Sequence, residues 1–398
     1  MDYNHQREQN EQGLVFDVGS LYDYLGRIED TRQAKGKRYT LISLLILMLL
    51  AKLGGEDKPS GIAEWIAHRI ELWVQYKIVA EPKAASHMTY RRILQEIITP
   101  EEFEALVQAF HLQRLKTEQE IVISVDGKTL RGTIPYGEYR GVHLLAVYVP
   151  GQGLVLAQAE VDKKENEIVV APRIVSQLAL AGAIVLADAM HTQKTLSTQV
   201  VEAGADYVWV AKDNQSRTRW AIEKLFVHEV CNLQKGAPVS KDVQVALKIN
   251  KQHGRIEQRT IMTSTQLNEY LDWPYVAQVF RIERIVHHSR FRGKTREVVY
   301  GLTSLSPQQA SPAKILSLFR EYWKIESGLH YRRDVTLRED ATRLTVGNAG
   351  HNMAILNNLV IGLCLSTGFD NLAQARRLFS AQPNAALDLL ISANPPTL

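Results

Sequence analysis

The stretch "VISVDGKTLRG", residues 122–132, stops an apolar, β-branched run on a carboxylate and follows it at once with glycine, lysine and arginine. Valine and isoleucine at this density favour a buried strand, which places Asp126 at a strand end. In an open α/β sheet, ligands gather at strand ends, because the sheet holds a side chain there while its tip reaches solvent. Working outward, "HLLAVYV" at 143–149 and "LVLAQAEV" at 154–161 are short strands separated by Gly and Pro, and they read as hairpin-joined neighbours. A helix over about 166–181, the strand "AIVLADA" at 183–189, a helix over 192–203 and the strand "DYVWVAK" at 206–212 follow. This order predicts an α/β fold whose sheet has mixed strand directions.

On the amino-terminal side, residues 15–120 read as helical throughout. "YTLISLLILMLLAKL" at 39–53 is shorter than the roughly 20 residues of a membrane span, so it is expected as a buried helix. "GIAEWIAHRIELWVQY" at 61–76 has apolar residues at helical spacing; further helices are expected after Ser86 and after Thr99, the latter with Pro100 in its first turn. On the carboxyl side, residues 228–300 return to an irregular strand pattern, and helix resumes after Pro312 and again near 347–365. The expected division is a helical module (1–118), a core in two parts (119–227 and 306–366), a β-rich insertion (228–305) and a helical extension (367–398).

Composition bounds the function. With 398 residues, 45% hydrophobic and 23% charged, the chain is globular, and its formal charge of +4 permits a polyanionic partner without demanding one. Two cysteines, Cys231 and Cys364, exclude a disulfide framework or a cysteine-rich zinc site, and both are expected to be inert core residues. No leader or membrane span is read, so a cytoplasmic protein is expected. There is no phosphate-loop signature and no persuasive Ser/His or Cys/His arrangement, so neither ATP nor a covalent protein nucleophile is implied.

A second aspartate, Asp188, ends "AIVLAD". If its strand neighbours that of Asp126, two carboxylates meet, and their repulsion is costly unless a cation lies between them. Hard oxygen donors of this kind favour Mg²⁺, with Mn²⁺ as substitute, over Zn²⁺. Each aspartate taken alone has a plainer reading as a turn or helix cap. A third acid is expected from "FREYWKIESGLHYRRD", read as one helix with Tyr322, Glu326, His330 and Arg333 on a single polar stripe. Glu326 is the favoured third ligand, with Asp334 and Asp340 as competitors.

Taken together, "VDGKTLRG", "DKKENEIVVAP", "VLADAMHTQ", "VWVAKDNQ", "HGRIEQR" and "YWKIESGLHYRRDVTLREDATRL" resemble the DDE transposases of bacterial insertion sequences, specifically the H-repeat-associated group. The similarity runs from about residue 20 to 365, with the motifs in the expected order. It implies an RNase H-like catalytic core with Asp126, Asp188 and Glu326 as the metal-binding triad, the β-rich block being the insertion that related transposases carry before the glutamate. Ser327 and Tyr331 stand where the family's helix has Asn and Trp, and residues from about 369, including "NLAQARRLFS", match nothing in it. The resemblance also implies a nucleoid-associated bacterial protein acting on terminal inverted repeats and target DNA, as a homodimer or larger synaptic assembly.

Resemblance and chemistry converge on phosphodiester cleavage and strand transfer with two divalent ions. The rivals are a repurposed relative, acting as a DNA-binding protein or a nuclease without joining activity, and a scaffold whose acids are structural. In the favoured reading Lys128 and Arg131 bind phosphate oxygens, and His191, Gln193, Lys212, Asn214, His330 and Arg333 contact DNA; their plain alternatives are capping, turn and packing roles. "HHSRFRGKTR" at 287–296 offers Arg290, Arg292 and Lys294 in a hairpin, as a phosphate clamp or a solvated turn. Arg91 and Arg92 in "MTYRRIL" fit either a recognition helix or a solvated helix face.

Overall fold

A computed structural model describes residues 6–35, 37–118, 120–252, 254–288 and 293–394. The chain divides into two compact units: residues 1–116, 127–162 and 326–398 form the first, 117–126 and 163–325 the second. In chain order the first unit opens with a ribbon, β1 (Arg7–Gln9) and β2 (Val15–Asp17), which corrects the expectation of helix from residue 15 onward. Then come α1 (Leu21–Leu25), α2 (Leu41–Leu53), α3 (Pro59–Ala67), α4 (Ile70–Gln75), α5 (His87–Arg92) and α6 (Pro100–Arg114). Strand β3 (Val122–Thr129) begins in the second unit and ends in the first, the chain crossing between Asp126 and Gly127. After β4 (His143–Val149) and β5 (Leu154–Glu160), an antiparallel pair of the first unit, the chain enters the second for α7 (Glu167–Val175), β6 (Ile184–Ala187), α8 (Lys194–Glu202), β7 (Asp206–Ala211) and α9 (Ser216–Gln234). Four long strands, β8 (Gln244–Gln252), β9 (Arg255–Ser264), β10 (Gln278–His288) and β11 (Lys294–Thr303), lead to α10 (Pro312–Tyr322). The first unit is completed by α11 (Ala349–Ser366), α12 (Leu372–Ala381) and α13 (Pro383–Ile391).

In the second unit the strands lie in the order β3-β6-β7-β11-β10-β9-β8, a mixed sheet flanked by helices. The first three are parallel; β11 joins β7 antiparallel through Tyr300↔Ala211 to Thr303↔Val208, so the β-rich block extends this sheet. Side-chain alternation then assigns the faces. Ile184, Leu186 and Val208 point into a cluster with Ile261, Phe280, Ile315 and Leu316, placing α10 on that face. Trp209, one step along β7, points the other way and donates its indole N–H to Ser197 on α8. Two expected boundaries move: α7 stops at Val175 and hands over to tight turns, and α9 runs to Gln234, so the insertion starts in helix. Cys364 is buried as expected, whereas Cys231 on α9 is exposed, correcting its reading as a core residue. Among the described residues no helix is long and apolar enough to cross a membrane.

In the first unit α2 and α11 are buried along nearly their whole length. A helix buried all round must find partners for its polar side chains internally, and the amide N–H groups of the α11 asparagines do. Asn352 donates to the carbonyls of Leu94 and Ile98 at 2.9 Å, capping the end of the π-turn Ile93–Ile97; Asn357 donates to Glu339; Asn358 donates to Gln158. His351 sits 3.3 Å from Glu104 and 3.7 Å from Glu160. Burial alone would push the His351 imidazolium down, but hydrogen bonding and charge from the two glutamates lift its pKa to about 9, while burial raises that of Glu104. Both groups hold protons more tightly folded than unfolded, so stability contributed by His351 is full below its ordinary pKa of 6.5 and lost as pH rises through about 9. Unfolding by urea should show wild type losing up to about 3 kcal/mol between these limits relative to His351→Gln. Equal pH slopes in the two proteins would refute the assignment.

Candidate active site

The parallel register of β3 and β6 ends on Val125↔Ala187. Asp126 and Asp188 are each the next residue after the last pair, and both are half-buried. Asp188 lies just beyond the end of β6, whereas β3 runs on to Thr129, which corrects the reading of Asp126 as a strand end and leaves it where the β3–β6 pairing stops. Apolar residues before them are buried, which fixes the strands and leaves the acids at the solvent edge. Tyr322, the last residue of α10, has its hydroxyl 3.4 Å from Asp126 Oδ1. Asp188 also caps: its Oδ1 accepts from the backbone N–H of Met190 at 2.8 Å and of His191 at 3.4 Å, opening the 3₁₀ turn Ala189–His191. The plain reading of a strand-end aspartate is thus realised at one oxygen, and the cap itself orients the carboxylate.

The residues after Asp188 are pinned from several sides. His191 is buried with Nε2 3.1 Å from Glu167, while its Nδ1 has no hydrogen-bond partner among the described residues. Gln193 donates to Met190 O, Asn214 to Ala189 O at 2.5 Å and Gln215 to Thr192 O at 2.9 Å. Asn214 and Gln215, which follow β7, therefore hold the turn that carries Asp188. This positioning role is one that spacing along the chain does not reveal. Lys212, at the end of the same strand, is exposed.

The segment expected as one continuous helix is interrupted. α10 stops at Tyr322, and Ile325–His330 and Arg332–Thr336 are π-turns. Each π-turn accommodates an extra residue; Glu326 and His330 of the expected stripe still meet, whereas Arg333 leaves it and turns inward. Glu326 is exposed, with the buried His330 Nδ1 3.7 Å from its Oε2. Arg333 is fully buried: its Nε donates to both Glu339 oxygens at 3.0 and 2.9 Å and its Nη1 to Gln158 at 3.3 Å. So placed, it holds the fold rather than offering its donors to a phosphate. Lys128 is also buried, with Nζ 2.6 Å from Asp334 and 3.8 Å from Asp340. Arg131 gives its backbone N–H to Asp340 and leaves its guanidinium 80% exposed. Asp334 and Asp340, the competitors for third ligand, are thereby engaged by cations, which leaves Glu326 as the exposed acid of this segment.

Of the outlying candidates, Arg290 and Arg292 lie outside the described residues, and Lys294 is exposed at the start of β11. Arg91 is half-buried, and Arg92 is exposed with its Nε 3.4 Å from Glu96.

Residues 117–363 match the family model described as "Transposase DDE domain", and residues 22–111 the one described as "DDE_Tnp_1-associated". YncI of Escherichia coli O157:H7, named as a candidate transposase, is 27% identical over 356 residues, 87% of each chain. YhhI of Escherichia coli K12, named as an H repeat-associated candidate transposase, is 25% identical over 87% of this chain and 90% of its own. Among solved structures, a piggyBac transposase synaptic complex with hairpin DNA aligns at a TM-score of 0.40 and 10% identity, over 93% of this chain and 77% of that one. The chain belongs to the DDE transposase family, in the H repeat-associated group.

Proposed function

We propose that this chain cleaves DNA at the terminal inverted repeats of its element and joins the resulting 3′-ends to target DNA, acting as a homodimer or larger assembly around an RNase H-like core. The observation that carries the reading is the register that sets Asp126 and Asp188 each one residue past the last pair of two neighbouring parallel strands. Two half-exposed carboxylates so placed repel unless neutralised, and the donors are hard oxygens, so the pair fits Mg²⁺ or Mn²⁺. Glu326 is proposed as the third ligand. It follows by four residues Tyr322, whose hydroxyl meets Asp126, and it heads the stretch at which the chain leaves the second unit.

Bound divalent ions would supply an activated water or 3′-hydroxyl and stabilise the departing 3′-oxygen. The chain's own part is to hold the acids: the Met190 and His191 N–H groups fix the Asp188 carboxylate, and Asn214 and Gln215 fix that turn. His330 beside Glu326 is proposed to orient that carboxylate. Lys212, Lys294, Arg131, Arg91 and Arg92, with Arg290 and Arg292, are the proposed phosphate contacts, and residues 1–118 the proposed end-binding module.

The test uses purified protein on DNA that contains its own gene and several hundred flanking bases, with breaks and joints mapped by sequencing. Breaks at paired inverted ends, followed by joining and lost in EDTA, are the expected result. Metal-independent or scattered breaks, or breaks never followed by joining, would defeat the proposal in favour of a nuclease. Bound but uncut DNA would favour a repurposed DNA-binding protein.

A further inference from the structure

The helical extension from residue 369, which matches no part of the family pattern, builds a cavity in the first unit. Its volume is about 810 Å³ and its walls come from two places: the segment that follows Glu326, through Ser327, Tyr331, Arg332 and Val335, and the start of α12, through Leu372 and Arg377. The walls are chemically divided. Leu372 and the exposed Val335 give an apolar floor, and Tyr331, 57% exposed, presents a ring beside it. Arginines supply the charge. Arg376, also lining the cavity, is spent on structure, since it donates to the carbonyls of Lys52 and Thr336 and to both oxygens of Asp57. Arg332 spans the wall, donating to Gly328 O at 2.7 Å and Asp370 O at 2.9 Å. Arg377 is exposed on α12 and has no ion-pair or hydrogen-bond partner among the described residues. Asp370 is the one carboxylate in the lining, so cations are in excess.

An aromatic face, an apolar floor and an unpaired guanidinium in one cavity suit a nucleotide: base on the ring, phosphate on the arginine. A small apolar ligand would have no use for the arginines, and a bare anion none for Tyr331. We propose that this cavity seats a nucleotide of the DNA strand that runs past Glu326, with its base against Tyr331 and its phosphate on Arg377. The assignment of the strand rests on the transposase reading, because Ser327, in the cavity wall, is the residue next to Glu326.

The test is binding of fluorescein-labelled oligothymidylate to the full chain in EDTA, by anisotropy, beside mapped cleavage of the end-containing DNA in Mg²⁺. Arg377→Glu and Tyr331→Ala should each weaken oligothymidylate binding roughly tenfold with an unchanged melting temperature. Arg377→Gln should also lower the slope of affinity against salt by about one. Were Tyr331→Ala to fold poorly, the exposed Arg377 variants carry the test alone. Binding equal to wild type in Arg377→Glu would overturn the cavity's assignment while wild-type cleavage at the ends left the transposase reading standing. Absence of end cleavage by wild type would instead overturn that reading, and with it the identity of the strand.

Discussion

Replacing Asp188 with asparagine is expected to lower metal-dependent strand cleavage by about three orders of magnitude with little change in melting temperature or DNA affinity. The prediction follows from the two things this side chain does. Its Oδ1 caps the turn by accepting from Met190 and His191, and an asparagine oxygen can accept the same bonds. What asparagine cannot supply is the negative charge that, beside Asp126, the proposed divalent-cation site requires. Asp188→Ala should lose the same activity and, in addition, about 1 kcal/mol of stability from the missing cap. The pair of variants therefore separates capping from ligation. Should Asp188→Asn cleave end-containing DNA at the wild-type rate, the carboxylate is a cap alone and the metal mechanism fails.

Why this acid could be found in the sequence, and others could not be placed there, has a physical basis. "VISVD" and "AIVLAD" are short apolar runs that stop on acids, and a parallel sheet that buries such runs brings their ends together; alternation and burial decide this, and both are written in residue type. The segment after Tyr322 behaves otherwise. Its residues suit an α-helix, so period alone extends the helix through Arg333, whereas the backbone makes π-turns and rotates Arg333 inward. No side-chain pattern announces a π-turn, because its stability lies in the tertiary contacts it permits. Lys128 shows the same limit. A lysine two residues beyond a strand-end acid reads as a phosphate contact, and only its pairing with Asp334, far along the chain, shows it as a buried strut. Cys231 fails for a simpler reason: α9 is longer than its strand-like surroundings suggest, and the cysteine falls on its outer face.

Arg333→Ala is expected to destabilise the first unit by about 3–5 kcal/mol, enough to bring its unfolding near ambient conditions. The guanidinium is wholly buried between Glu339 and Gln158, and each partner has further ties: Glu339 accepts from Asn357, while Gln158 accepts from Asn358 and donates to Glu104. Removing the arginine strands a buried carboxylate, and the cost of that uncompensated charge exceeds the lost contacts themselves. Replacing both partners by apolar residues of similar size, as in Arg333→Met with Glu339→Leu, should recover much of the loss, because no lone charge is then left in the core. Urea unfolding of the single and double variants measures both effects. A single variant within about 1 kcal/mol of wild type would mean that water reaches Glu339 and that the site is not closed. The outcome also bears on catalysis. Arg333 lies three residues beyond His330, so a loosened network should lower cleavage by Arg333→Ala even where the chain remains folded, and the double variant should regain activity in step with its stability. Recovery of stability without activity would instead give Arg333 a role at the DNA, which its burial argues against.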